Sequence, residues 1–305
     1  MKNIIKIISF FFVFIILFSL FNFLFSSKNI NLSDRKKKEF VNGILMEKEG
    51  TVDVLFVGDS LVYSGISPLN LWNDYGYSSY NISLVGQRLY QTYDNLKVSL
   101  EYQKPKIVFL DASVLNYSFG ISKVLEVDLI NKFDFLKYHD TWKDAFGESN
   151  KVLRAAGNVN NKGFRYSLQV ESFEDSDVEY EKIEINNLSM YLFDEIVNIC
   201  NENDIKLVII NIPTKLNWNS ESHDVIEDFL VKYNLEYYDL NNYNLIDWNN
   251  DTRDKGEHLN YYGAKKVSTY LGDYIKNTGL VEDHRGDKKY ASWQEAYDKM
   301  ADKLF

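Results

Sequence analysis

The chain has 305 residues, of which 45% are hydrophobic, so it can bury a sizeable core and is not disordered by composition. Its formal charge is −10, yet residues 1–38 carry seven Lys/Arg against one Asp, which leaves −16 on the remainder. A domain that acidic is a poor match for nucleic acid or an anionic lipid surface, and the single Cys200 excludes an internal disulfide.

In chain order, the first feature is the uncharged run Ile7–Phe25, IISFFFVFIILFSLFNFLF, interrupted only by Ser9, Ser19 and Asn22. Nineteen residues of helix span roughly 28 Å, close to the hydrocarbon thickness of a bilayer. The run reads as an N-terminal membrane anchor over residues 1–27. A cleaved signal peptide is the rival, with Lys2 and Lys6 as its basic start, but the run is long and ends in FLFSS without a small-x-small cleavage pattern. Lys28, Arg35, Lys36, Lys37 and Lys38 outnumber Lys2 and Lys6, so a literal positive-inside count keeps the following domain in the cytoplasm.

A polar stalk over residues 28–50 leads into a βα alternation. We expect a strand at Val52–Val57, a loop at Gly58–Gly65, a helix around Pro68–Tyr75 ended by Gly76, and a strand at Ser79–Leu84. Gly86 breaks that run, and Leu89, Tyr93, Leu96 and Leu100 form a helical stripe before strand Ile107–Leu110. The rhythm resumes with a helix through Leu188, Leu192, Ile196, Ile199 and Cys200, where Cys200 is a small core residue. Strand Leu207–Ile212, helix His223–Tyr233, strand Glu236–Leu240 and a last helix at Tyr262–Ile275 follow. Five short apolar strands separated by helices predict an α/β fold with a parallel sheet covered on both faces. The main domain is expected over 51–280, with an aromatic and acidic insertion at about 112–187. The tail 281–305 sets Trp293, Ala296, Tyr297 and Met300 at helical spacing, either to pack back on the domain or to dock on a membrane partner.

Ligands of parallel sheets bind beyond the carboxyl ends of the strands, and Ser60 follows the first strand. A serine hydroxyl needs a histidine to take its proton and an acid to orient that histidine. Of four histidines, His258 stands before the last helix in DTRDKGEHLNYYGAKKVS, with Asp254 four residues earlier and Glu257 adjacent. His139, His223 and His284 read as surface residues. Each site residue has a structural alternative: Ser60 as a helix cap, His258 as a loop histidine, Gly86 as a positive-φ turn, and Asp111 as a polar strand end. No H-E-x-x-H, paired Cys, G-x-G-x-x-G or P-loop pattern occurs, so neither metal nor cofactor is expected.

FVGDS after the first strand, Gly86 after the second, and HLNYYGA before the last helix resemble the SGNH/GDSL hydrolase superfamily. Within it, VDVLFVGDS, HLNYYGAKK and the tail DHRGDKKY..W are similar to membrane-anchored SGNH proteins of Gram-positive bacteria, relatives of DltD and AlgJ-like cell-envelope proteins. The resemblance covers most of residues 52–295 and implies a three-layer, flavodoxin-like α/β fold. It also implies Ser60 as nucleophile, His258 as base and Asp254 as orienting acid, with the N–H groups of Ser60 and Gly86 as an oxyanion hole. Two departures stand: the usual D-x-x-H spacing is one residue longer here, which leaves Glu257 as an alternative acid, and FLDASVLN replaces G-x-N-D, which leaves Asn116 in place of the usual Asn.

Two functions follow. One is a serine esterase or O-acyltransferase acting on ester groups of a cell-envelope polysaccharide or polyol polymer, beside a membrane-bound O-acyltransferase. The other is a non-catalytic glycan-binding or scaffold partner of such a transferase. The resemblance implies a single-pass protein of the cell membrane with its domain outside, against the raw charge count; long domains translocate largely regardless of flanking charge.

Overall fold

The computed structural model describes residues 2–24, 40–117, 160–174 and 183–304, together with residues 119–123, 125, 129, 133, 178 and 180. The chain forms two compact units, one of residues 1–37 and 120–152 and one of residues 38–119 and 153–305. In the first, helix α1 (Lys2–Leu24) is apolar all round, with mean hydropathy 2.8 over its best window and no buried residue. A helix of this length and composition is able to cross a bilayer.

The second unit holds a five-stranded parallel sheet of β1 (Val54–Gly58), β2 (Ser79–Ser83), β3 (Ile107–Asp111), β4 (Lys206–Asn211) and β5 (Glu236–Asp239) in the order β2-β1-β3-β4-β5. This is the flavodoxin-like doubly wound order, whose switch point lies between β1 and β3. Helices α2 (Ser60–Gly65), α3 (Pro68–Tyr75), α4 (Leu89–Tyr102), α5 (Asn187–Glu202), α6 (Ser220–Leu230), α7 (Tyr261–Thr278) and α8 (Ala291–Leu304) surround it. The three central strands β1, β3 and β4 read as near-continuous apolar runs because both faces are covered, whereas the edge strands β2 (SYNIS) and β5 (EYYD) are more polar. Val54, Phe56, Ile107, Phe109, Val208 and Ile210 cluster with Val267, Leu271 and Ile275 of α7. Alternate residues Leu55, Val57, Val108, Leu110 and Ile209, equally buried, point to the other face. Helices α4 and α5 pack together there, and Cys200 of α5 is fully buried, which pushes its thiol up to about 12.

The expected elements stand with shifted ends, except at Gly58–Gly65. There the sequence suggested a loop, whereas Ser60–Gly65 is a helix. Asp59 caps it by accepting from the Leu61 N–H at 2.9 Å, and burial of Leu61, Val62 and Tyr63 holds the short helix in place. The Arg165 N–H donates to the Tyr63 carbonyl and the Asn81 amide to the Ile66 carbonyl, each at 2.8 Å, so neighbouring chain segments fix the helix end.

The tail folds as α8 and packs on α3, with Trp293, Ala296 and Met300 buried. Trp293 stands 6.3 Å from Trp72 and donates to the Ser79 carbonyl at 3.1 Å. At that corner Lys162 is buried with its Nζ 2.6 Å from Glu47 Oε1, 3.0 Å from Ser292 Oγ and 4.3 Å from the Trp293 ring centroid. Burial lowers the Lys162 pKa against the pull of Glu47.

Two histidines expected on the surface are instead engaged. The His284 Nε2 lies 2.5 Å from Asp53 and its ring stacks on Tyr290 at 3.9 Å. His223 pairs with Asp239 at 3.1 Å and stacks on Tyr237. His139 lies outside the described residues.

Candidate active site

β1 ends in Gly58, which is wedged so tightly that a Cβ there would meet Val62 Cγ2 at 2.4 Å and the Asp111 Cβ at 2.8 Å. Only glycine lets the strand turn this sharply into α2. Ser60 is the first residue of that helix, where helical geometry provides no internal partner for its N–H. Its side chain lines a cavity of about 290 Å³ beyond the carboxyl ends of the strands. Asp59, Ser113, Asn116 and Tyr117 line the same cavity, and Tyr180, Ile183, Leu216, Asn217 and Glu257 complete it.

Behind Ser60 lie two buried carboxyls. Asp111, at the end of β3, accepts from the Ser113 hydroxyl at 2.8 Å and from the Ser113 and Ile212 N–H groups at longer range. Complete burial and the neighbouring Asp59 carboxyl push Asp111 up to about 8. Burial also pushes Asp59 up, opposed by the Leu61 N–H, the Tyr117 hydroxyl at 3.3 Å and the nearby His258. Tyr117 is itself raised to about 12 by burial and by Asp59. The interior beneath Ser60 therefore favours neutral acids.

The second half of the site is the loop between β5 and α7. An antiparallel bridge between Thr252 and Leu259 closes it, and the Thr252 hydroxyl accepts from the Gly256 N–H at 2.8 Å and donates to the His258 carbonyl. Lys255 and Gly256 take φ of 60° and 98°. Two left-handed residues in succession absorb the extra position of the D-x-x-x-H spacing. Asp254 consequently meets His258 twice, with Oδ1 2.6 Å from its backbone N and Oδ2 2.7 Å from Nδ1. Glu257 is 4.0 Å from Nδ1 and more exposed. Burial would raise Asp254, but the side-chain and backbone bonds from His258 and the charge of Arg253 outweigh it and hold the carboxyl below its ordinary value. Nδ1 thus has its acceptor, whereas Nε2 is buried with no hydrogen-bond partner among the described residues. No hydrogen bond joins Ser60 to Nε2 in this structure, and of this loop only Glu257 lines the cavity; catalytic hydrogen bonds are often long before substrate binds.

Gly86 has φ 59°, is exposed, and is not among the residues lining the cavity, so what the structure gives it is the turn after β2. Asn116 is in the cavity wall, and its Oδ1 is buried without a partner among the described residues. Asp254, Glu257 and His258 carry donor atoms within 4.8 Å of one another, which a metal ion needs, but the Nδ1 that faces the acids is already committed to Asp254. Sequence reasoning passed over Ser113, Tyr117, Tyr180 and Arg253. Only DASVLNY, directly after a strand at the switch point, offered a signal for the first two.

No protein-family model matches the chain, and no curated protein is similar to it. Among solved structures it is similar to a GDSL-like lipase from Bacteroides thetaiotaomicron, at 12% identity and a TM-score of 0.41, covering 84% of this chain and 98% of that one. It is also similar to a lipase/acylhydrolase from Enterococcus faecalis, at 12% identity and TM-score 0.41, covering 76% and 98%. A family 3 carbohydrate esterase from Clostridium thermocellum follows at 15% identity and TM-score 0.39, covering 74% and 96%. Likeness at this level assigns no role to any residue.

Proposed function

We propose that the chain is a membrane-anchored serine acyl-transfer enzyme that moves or removes an O-acyl group on a cell-envelope polysaccharide or related polymer. Ser60 attacks the ester carbonyl, and His258 Nε2 takes the serine proton and returns it to the leaving alkoxide. Asp254 holds the imidazole with its proton on Nδ1 and stabilises the cation that forms. The Ser60 N–H and the Asn116 amide are the donors for the oxyanion, while Gly86, which does not line the cavity, keeps the turn after β2. Water as acceptor makes the reaction hydrolysis; a polymer hydroxyl makes it transfer. The domain faces the extracellular side, where a membrane-bound O-acyltransferase would deliver acyl groups.

The observation that carries this reading is the polarised histidine: Nδ1 bonded to Asp254 at 2.7 Å and Nε2 buried with no partner among the described residues. A surface histidine gains nothing from such an arrangement, whereas a general base requires it. The test is labelling of the full chain in detergent with a fluorophosphonate probe, with the adduct located by mass spectrometry. Labelling at Ser60 that disappears in Ser60→Ala, together with a changed ester content of the polymer in cells carrying that variant, a loss for transfer onto it and a gain for removal from it, supports the proposal. A folded chain that neither reacts nor turns over esters favours a binding or scaffold role. Protection of the domain from protease added to intact cells would overturn its placement outside.

A further inference from the structure

We propose that Arg253 is a positioning residue that sets the separation between His258 and Ser60. The proposal rests on the acyl-transfer reading above. A short helix presents Ser60, and an irregular loop presents His258 and Asp254. The two groups react only if their supports are held in register. Arg253 reaches all of these parts. Its Nη2 donates to Ser64 Oγ at 2.9 Å, its Nε is 3.7 Å from Asp254 Oδ2, and its backbone N–H donates to the His258 carbonyl at 3.2 Å. Ser64 is 1% exposed and sits four residues after Ser60, one turn along the same face of α2.

Among the described residues, Arg253 to Ser64 is the one hydrogen bond between α2 and the loop of residues 251–259. The guanidinium is a planar fork, so a single side chain can address two acceptors at a fixed angle; an ammonium cannot. Its side chain is 13% exposed, so little water competes for those bonds. An arginine recruited only for solubility would not be spent in that place.

The test uses the full chain in detergent and follows hydrolysis of p-nitrophenyl acetate and the fluorophosphonate rate in the wild type, Arg253→Gln, Arg253→Lys, Ser64→Ala and the Arg253→Gln/Ser64→Ala pair, with a thermal melt of each. A displacement of about 1 Å can cost on the order of 10²-fold in rate. We expect Arg253→Gln to lower kcat by about 10- to 100-fold with KM little changed, and Arg253→Lys to resemble it rather than the wild type. Ser64→Ala should lower kcat in the same direction, and the pair should be no slower than Arg253→Gln alone, because both substitutions break one contact. Wild-type kcat in Arg253→Gln or Ser64→Ala, multiplicative losses in the pair, or losses explained by unfolding at the assay temperature would overturn the proposal. Should Arg253→Gln not fold, Ser64→Ala alone decides. A folded wild type that fails to react removes the acyl-transfer reading and this proposal with it; a reactive wild type with equally reactive variants removes this proposal only.

Discussion

A serine hydroxyl at pH 7 holds its proton, and the residues around Ser60 differ in what they can do about that. Asp254 touches His258 through two bonds, whereas Glu257 stands 4.0 Å away with a side chain 46% exposed. Asp254→Asn should therefore lower kcat by about 10²- to 10⁴-fold. Glu257→Gln should cost less than about fivefold, since an exposed pair contributes under about 1 kcal/mol. The reverse order, measured by ester hydrolysis, would transfer the orienting role to Glu257. Asp111 offers a different observable. Its folded-state pKa near 8 lies well above the ordinary carboxyl value of about 3.9, so over that interval the folded chain retains a proton that the unfolded chain has lost. Stability should fall as pH rises from about 4 to about 8, and the advantage of the protonated state is gone above that. Asp111→Asn keeps the shape without the charge, and urea melts across pH should show its stability gaining on the wild type up to pH 8. Parallel curves would mean that Asp111 is ionised throughout.

Two elements decide whether those residues meet, and they differ in how far the sequence revealed them. The central strands β1, β3 and β4 were legible because apolar runs of five or six residues between helical stripes have few other solutions. Ser60 and His258 stood out as candidates because one serine directly follows the first strand and one histidine precedes the last helix, whereas the preference for Asp254 over Glu257 needed the 2.7 Å contact with Nδ1. The short helix α2 was missed: Gly58, Asp59, Ser64 and Gly65 have loop chemistry, and only the tertiary burial of Leu61 and Val62 turns the segment helical. The loop spacing was also opaque, because the positive φ of Lys255 cannot be read from a lysine. Its partner Gly256 is the more constrained. At φ 98°, a Cβ would approach the Lys215 Cβ and the Phe173 ring at 2.9 Å. Gly256→Ala should lose about 1–3 kcal/mol in a denaturant melt, with kcat falling as Asp254 and His258 part. Retention of both would mean the loop has freedom that its hydrogen bonds do not suggest.

Across the whole molecule, the core and the apolar helix α1 follow from hydrophobic pattern, whereas the corner that joins distant segments does not. Nothing in the sequence pairs Glu47 with Lys162 or either with Ser292, since 115 and 130 residues separate Lys162 from its partners. Trp293→Ala should cost about 3–5 kcal/mol, as expected for a fully buried indole packed beside Trp72, and chemical denaturation measures it directly. Lys162→Ala leaves Glu47 buried without its cation and should cost a similar amount. A loss under about 1 kcal/mol in either would show that the tail rides on the domain rather than completing it.

That corner also has a mechanical meaning. The chain enters the domain through Gly43–Leu45, which are buried, and Glu47 comes just after them, so the ion pair backs up the first packed turn. Glu47 passes the load sideways through Lys162 and Ser292 into Trp293, whose indole is pinned to the carbonyl of Ser79 at the start of β2. Several contacts meet at this corner, so no single bond carries the load alone. Under the proposed function, a domain held at a membrane while it works on a polymer would be pulled through this corner, and the shared contacts there would take the strain.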